Sequence, residues 1–548
     1  MPTLEWIGKD KVINHHLDVP YRVLDHQYTY LGNGKTGSEI ADGNKIIRGD
    51  NLEALKALLP QYEGKIKCIY IDPPYNTGNE GWVYNDNVND PKIKKWLGQV
   101  VGKEGEDLSR HDKWLCMMYP RLKLLQRLLA DDGAIFISID YHEQPQLRIV
   151  LDEIFGPDNL ISEIACVNKP GRSDDKYIAT AHESIIIYRK TNMLSLGFFE
   201  PGENIIRRYT KVDNEGYKYR EEDLRKRGSH DERNDRPNLF YPFFYSQSTG
   251  DLCIGNNEDD TPEGYIRIEP MKSSNIQGTW RWGKETAKEL LSYLHPRYMP
   301  NKRQWSVFEW EYLHERGGVK PTTVWDFKDV NSERGTEVFR KLGFTTSNFP
   351  NPKPVGTIER IIRIATDRDS IVLDSFAGSG TTAHAVLNMN KADGGNRKFI
   401  LVEMMDYAES ITAERVRRVI DGYADVEGTG GSFSFYELGE PLLNNDQTLN
   451  EKVPTEKIRR YVFFMETKQP IGSASADEPY LLGIHVNTAY YFYYEKECIT
   501  SLNHEFLATV RTQAEGYVIY ADLCMLSDEE LREFRITFKK IPRDISRL

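Results

Sequence analysis

Apolar and polar positions fall into two rhythms along residues 45–190. Lys45-Ile-Ile-Arg48 reads as a short strand, and Leu52, Leu55, Leu58 and Leu59 then recur on one face of a helix, with Asp50 in the turn between them. Ile66, Cys68, Ile69 and Ile71 mark a second buried strand. Trp114 to Leu129 has helical spacing, Ala134 to Ile139 is an apolar strand ending at Asp140, and a further helix spans Gln144 to Phe155. Strands alternating with helices predict a parallel sheet covered on both faces. Two more strands, Ile161 to Asn168 and Glu183 to Arg189, flank a Gly171-Arg-Ser-Asp-Asp loop and predict an edge hairpin.

Between Thr191 and Asn348 both rhythms fail. Regular spacing resumes after Asn351-Pro-Lys-Pro354 with a helix over Val355 to Thr366, a strand over Ser370 to Asp374, a glycine-rich turn, a helix through Asn388 and a strand over Lys398 to Val402 that ends at Glu403. A strand over Ser432 to Leu438 closes this unit. The remainder predicts strands around 480–485, 489–495, 516–521 and 536–541 and helices around 502–512 and 528–534. The organisation read from these breaks is an N-terminal extension (1–44), a first α/β segment (45–190), an insert (191–349), a second α/β segment (350–439) and a small C-terminal α/β module (440–548).

Composition narrows the class. The 548 residues are 39% hydrophobic and 28% charged, enough for several cores, and no run of about 18 apolar residues predicts a membrane span. The first ten residues lack the apolar core of a signal peptide, so the expected compartment is the cytoplasm. Six scattered cysteines without a CxxC pair predict neither a disulfide framework nor a metal site. The net charge of -12 does not exclude a nucleic-acid partner, because a phosphate footprint is a local patch. The insert is where such a patch is expected, since it mixes Arg and Lys with rings such as Tyr217, Phe243, Trp280 and Trp305. Most of these rings are expected in the core for their area alone.

Two stretches carry chemistry. In Asp72-Pro-Pro-Tyr75, prolines end a strand and stiffen the loop beyond it, at the strand end where ligands of open α/β sheets bind. A carboxylate and carbonyls beside an aromatic ring suit a planar base that carries an amino group. In Ser375-Phe-Ala-Gly-Ser-Gly-Thr-Thr382, a glycine turn between strand and helix admits a ligand to the backbone at a helix N-terminus, and Glu403 stands where a carboxylate accepts ribose hydroxyls. Asp50 reads either as a ligand contact or as the cap of the helix after it. Gly34-Lys35-Thr36 is a turn; Thr29 stands where a P-loop requires glycine.

Asp72-Pro-Pro-Tyr75 followed, far downstream, by Phe376-Ala-Gly-Ser-Gly380 resembles the target-amino and S-adenosylmethionine motifs of DNA amino-methyltransferases. The order resembles the circularly permuted β class of adenine-N6 enzymes, and most closely the modification subunits of type III restriction-modification systems. About half the chain carries the specific motifs. The resemblance implies an α/β, Rossmann-like methyltransferase fold with a target-recognition insert. It assigns Asp72, Pro73, Pro74 and Tyr75 to a flipped-out adenine. Phe376, Gly378 and Gly380 fall beside the cofactor S-adenosylmethionine, Glu403 at its ribose, Asp50 at its adenine, and Lys353 and Pro354 near its methionyl end, with Asp374 also among the implied cofactor-binding residues. His111, Asp112 and Trp114 resemble the stretch that backs the pocket. No metal is implied. The implied partners are double-stranded DNA, a second copy of the chain and a separate helicase-nuclease subunit. Cytosine N4 methylation is the alternative, followed by ribosomal RNA methylation and a DNA-reading subunit without turnover.

Overall fold

The computed structural model describes residues 3–40, 43–77, 110–167, 177–256, 259–273, 276–444, 446–469, 471–472 and 477–543. The loop expected after Pro74 and the Gly171 loop lie largely or wholly outside these residues. Two compact units emerge, one of residues 1–197 with 321–548 and one of residues 198–320. The second lies inside the segment predicted as the insert, and the residues flanking it fold with the first.

The first unit is built on an eleven-stranded sheet. Its strands and helices in chain order are β1 (Arg22–Tyr30), β2 (Lys45–Arg48), α1 (Asn51–Tyr62), β3 (Ile66–Ile71), α2 (Arg110–Leu128), β4 (Leu129–Ile139), α3 (Gln144–Phe155), β5 (Leu160–Val167), β6 (His182–Arg189), α4 (Val355–Ala365), β7 (Ile371–Asp374), α5 (Thr381–Asp393), β8 (Lys398–Glu403), α6 (Glu414–Asp421) and β9 (Phe433–Pro441). Across the sheet they run β5-β6-β4-β3-β7-β8-β2-β9-β1, with the two-residue strands Val324–Trp325 and Thr36–Gly37 outside β5 and β1.

Six neighbours, β4 through β9 in that order, are parallel. β3 and β7 are adjacent although about 300 residues of chain separate them. Chain order therefore reverses at their junction, which is where an open α/β sheet forms a crevice at its carboxyl ends. The buried strand residues Ile69, Ile71, Leu373 and Val402 and the helix residues Leu55, Leu59, Trp114 and Leu122 form one core beneath it. A fully buried parallel strand reads as a continuous apolar run, which is why these strands were visible in the sequence.

The structure differs from expectation at both edges. β5 and β6 pair antiparallel as expected, but Val324–Trp325 adds a parallel strand beyond β5, so the hairpin is not the edge. The N-terminal extension contributes β1, which pairs antiparallel with β9. Its polar residues hid it, because a strand near a sheet edge needs only one apolar face. The Gly34 turn links β1 to Thr36–Gly37, with Leu31 N–H donating to Lys35 O at 2.9 Å.

The C-terminal segment holds a four-stranded sheet of 481–485, 488–492, 516–521 and 536–540, and a helix, Thr455–Thr467, that the spacing did not predict. Residues 198–320 form a four-stranded antiparallel sheet and smaller ones around a core that includes Trp280, Phe243, Tyr241 and Val307. As expected, several of the insert's rings are simply core.

Candidate functional site

The parallel strands β2, β3, β4, β7 and β8 each end in an acidic residue or are followed by one within two residues: Asp50, Asp72, Asp140, Asp374 and Glu403. Four of them accept the backbone N–H two residues on: Asp50 from Leu52 at 2.8 Å, Asp140 from His142 at 2.9 Å, Asp374 from Phe376 at 3.0 Å and Glu403 from Met405 at 2.9 Å. Such local bonds are the habit of acids where a strand turns into a loop. Asp72 is the exception, for a covalent reason: the residue two positions on is Pro74, which has no N–H.

Asp72 is 7% exposed, and its Oδ1 has no hydrogen-bond partner among the described residues. Its neighbour is a cation, Lys353 Nζ, at 3.3 Å. Burial, with the nearby Glu183 carboxylate adding to it, raises the Asp72 carboxyl to about 6 against the pull of Lys353. A buried carboxylate oxygen without a donor is an acceptor waiting for one.

The loop around it is braced. Trp114 Nε1 donates to Pro74 O at 2.7 Å. Asn76, with φ 57°, donates to Arg110 O at 3.2 Å and to Glu143, whose Oε1 also faces His111 Nδ1 at 2.7 Å. Asp112 instead accepts from Ile7 N at 3.3 Å. Tyr75 donates its hydroxyl to Glu183 Oε2 at 2.9 Å, and Lys353 Nζ lies 4.9 Å from the centre of its ring. Glu183, at the start of β6, and Glu143 were not singled out in the sequence. For Glu183 the only signal was an acid opening an otherwise apolar strand.

The second half lies at the end of β7. Asp374, buried and raised to about 7 by burial, also receives the hydroxyl of Thr382 at 2.5 Å, which cinches the glycine loop onto its helix. Gly378 (φ 52°) and Gly380 (φ 80°) take left-handed backbone, and a Cβ at Gly380 would meet Thr412 O at 3.1 Å. Gly378 N donates to Glu403 Oε2 at 2.8 Å. Asn51 Nδ2 donates to Ser375 O at 3.1 Å and is itself held by the buried Arg121, which pairs with Asp50 Oδ2 at 3.2 Å. Asp50 is thus the cap of α1, the alternative the sequence left open. Pro354 is the residue before α4.

Lys353 joins the halves. Its carbonyl accepts from Thr381 Oγ1 at 3.3 Å, in the first turn after the glycine loop, while its ammonium stands between Asp72, Tyr75 and Glu183. Through it the Asp72 loop and the glycine loop are brought together.

The family model described as DNA methylase matches residues 66–414, which takes in both loops and the insert. The chain belongs to the DNA methylase family. It is 37% identical over 363 residues to the type II methyltransferase M.KpnI of Klebsiella pneumoniae, covering 66% of this chain and 80% of that one. It is 32% identical over 421 residues to the EcoPI Mod subunit of a type III restriction-modification enzyme from Escherichia phage P1, covering 73% and 63%. Against the EcoP15I Mod subunit of Escherichia coli the identity is 31% over 431 residues, covering 73% and 64%. This methylase thus spans less than two thirds of the length of either Mod subunit.

The glycine loop of the methylase fits S-adenosylmethionine, the cofactor of the family. Two glycines expose backbone, the N-terminus of α5 has no side-chain cap, and Glu403 is held in place by amides on both oxygens. Among the described residues no group of three His, Cys, Asp or Glu side chains is placed to hold a metal ion, and no helix is long and apolar enough to cross a membrane.

Proposed function

We propose that the chain is a site-specific DNA methyltransferase that methylates the N6 amino group of a flipped-out adenine, as the modification subunit of a type III restriction-modification system. The observation that carries the reading is the unbonded, buried Asp72 Oδ1 beside Tyr75, one strand away from the glycine loop. Likeness to Mod subunits supports the adenine and the type III assignment.

S-adenosylmethionine, when bound, supplies a methyl group on a positively charged sulfur. The residues of the chain do the rest. Adenine N6 is a poor nucleophile because its lone pair is conjugated with the ring. Asp72 and the Pro73 carbonyl accept its two hydrogens, favouring the tetrahedral nitrogen and the positive charge that develops on it. Trp114 holds the Pro74 carbonyl and so fixes the loop's path. Tyr75 stacks on the extruded base, and at about 1–3 kcal/mol that contact offsets much of the cost of unstacking. Phe376, Gly378 and Gly380 border the cofactor, Glu403 takes its ribose and Asp50 lies toward its adenine, with Lys353 and Pro354 at the methionyl end. Asp374 shapes the loop from within. The insert reads the DNA, the enzyme pairs with a second copy, and cleavage belongs to a separate helicase-nuclease subunit in the cytoplasm.

The test is incorporation of labelled methyl from S-adenosylmethionine into plasmid DNA, followed by nucleoside analysis. N6-methyladenine is expected. N4-methylcytosine transfers the same argument to the other base, and label found in RNA alone overturns the reading.

A further inference from the structure

A lysine ammonium has three hydrogens to donate. Those of Lys353 are directed at the Glu183 carboxylate, with Oε1 at 2.8 Å and Oε2 at 2.7 Å, and at the Tyr75 hydroxyl oxygen at 2.5 Å. Asp72 Oδ1 lies 3.3 Å from the same ammonium and yet accepts no hydrogen bond from it. All of these groups are deep in the site, with the side chains of Lys353 and Glu183 14% and 8% exposed. The main chain of Lys353 is tied to the glycine loop through Thr381, so the cation does not owe its place to Asp72.

Resting on the methyltransferase reading, we infer that Glu183 is a positioning residue that engages the Lys353 ammonium so that Asp72 stays open to accept the amino group of the target base. Two physical consequences follow from its place at the start of β6. Without Glu183, Lys353 turns its hydrogens on Asp72, and a hydrogen-bonded ion pair consumes the lone pairs that the base needs. With it, the cluster of Asp72, Glu183 and Lys353 carries one net negative charge, which matches the positive charge developing on the attacked nitrogen. The same carboxylate fixes the Tyr75 hydroxyl, and with it the ring that stacks. The charged and titratable groups facing Asp72 are Lys353, Glu183, Tyr75, Tyr70 and Asp374. Of these, Glu183 is the acid that shares the cation with it.

The decisive comparison is between Glu183→Gln, Glu183→Asp and the double variant Glu183→Gln/Lys353→Met, with kcat measured on saturating plasmid and S-adenosylmethionine. Glu183→Gln is expected to lose about tenfold or more in kcat while cofactor affinity stays within about twofold. Glu183→Asp should recover part of that loss. The double variant should be more active than Glu183→Gln, because removing the cation reopens Asp72. A readout independent of turnover is carbon-13 NMR of carboxyl-labelled aspartate in the ligand-free protein, with Asp72 assigned through Asp72→Asn. Loss of the Glu183 charge should lower the Asp72 titration by about one unit or more. A double variant no more active than Glu183→Gln, or an Asp72 titration that does not move, overturns the inference. If the wild-type protein methylates no DNA yet the titration moves as stated, the methyltransferase reading falls and the arrangement around Lys353 stands.

Discussion

Asp50 and Asp72 follow two parallel strands of the same sheet, β2 and β3, at nearly equivalent places, yet they have opposite fates. Asp50 is followed by Asn51 and Leu52, and its carboxylate is consumed by the Leu52 and Glu53 amides and by Arg121. Asp72 is followed by two prolines, so no local amide reaches it and one buried oxygen stays unbonded. The difference teaches that a strand-end acid is left open by withholding its local partners. Pro73 and Pro74 stiffen the loop and also strip it of the donors that tame the other strand-end acids.

The largest test of the contrast is Asp72→Asn, which keeps the shape and removes the charge. Its kcat should fall by about 10²–10³-fold or more while S-adenosylmethionine binding, measured by calorimetry, is unchanged. Lost cofactor binding would mean the two halves are not separable in this way. Tyr75→Ala should weaken capture of the base by about 1–3 kcal/mol, read as a raised KM for DNA or a weaker fluorescence change with a base analogue at the target. Pro74→Ala goes to the centre of the comparison, since it restores an N–H two residues beyond Asp72. That amide should bond the carboxylate, lower kcat by about tenfold and draw the acid limb of the pH profile down. In the wild-type enzyme that limb is expected near pH 6. A carboxyl raised to about 6 is ionised and active above that pH, and activity is lost as pH falls through it. The smallest effect belongs to Asp50→Ala: about 1 kcal/mol of stability from the lost cap, a several-fold weaker cofactor, and kcat at saturation within about twofold.

Much of the site was legible because its signals are local. The prolines after Asp72, the glycines between β7 and α5, and the apolar runs of β3, β7 and β8 each state a backbone requirement that only a few residue types satisfy. Trp114 was singled out by resemblance, and the structure ties it to the same loop through its bond to Pro74 O. Glu183 and Glu143 were not legible. Both are buried acids whose partners are 108 and 67 residues away, at Tyr75 and Asn76, and an isolated acid in a sequence looks like any surface charge. β1 escaped for a related reason, since its pairing partner is β9, near the far end of the fold.

By itself, then, the sequence determined which loops have unusual backbones and in what order they come, because proline and glycine act within one or two residues of themselves. Only the tertiary structure decided which charges share a space. Lys353 lies 281 residues from Asp72 along the chain, and it reaches that carboxylate because β3 and β7 lie side by side and Thr381 anchors its carbonyl. The balance of Lys353 between Glu183 and Asp72 is set by differences of about half an ångström, 2.7 Å against 3.3 Å. Spacing along a chain does not encode such distances; the packing of strands in a sheet does.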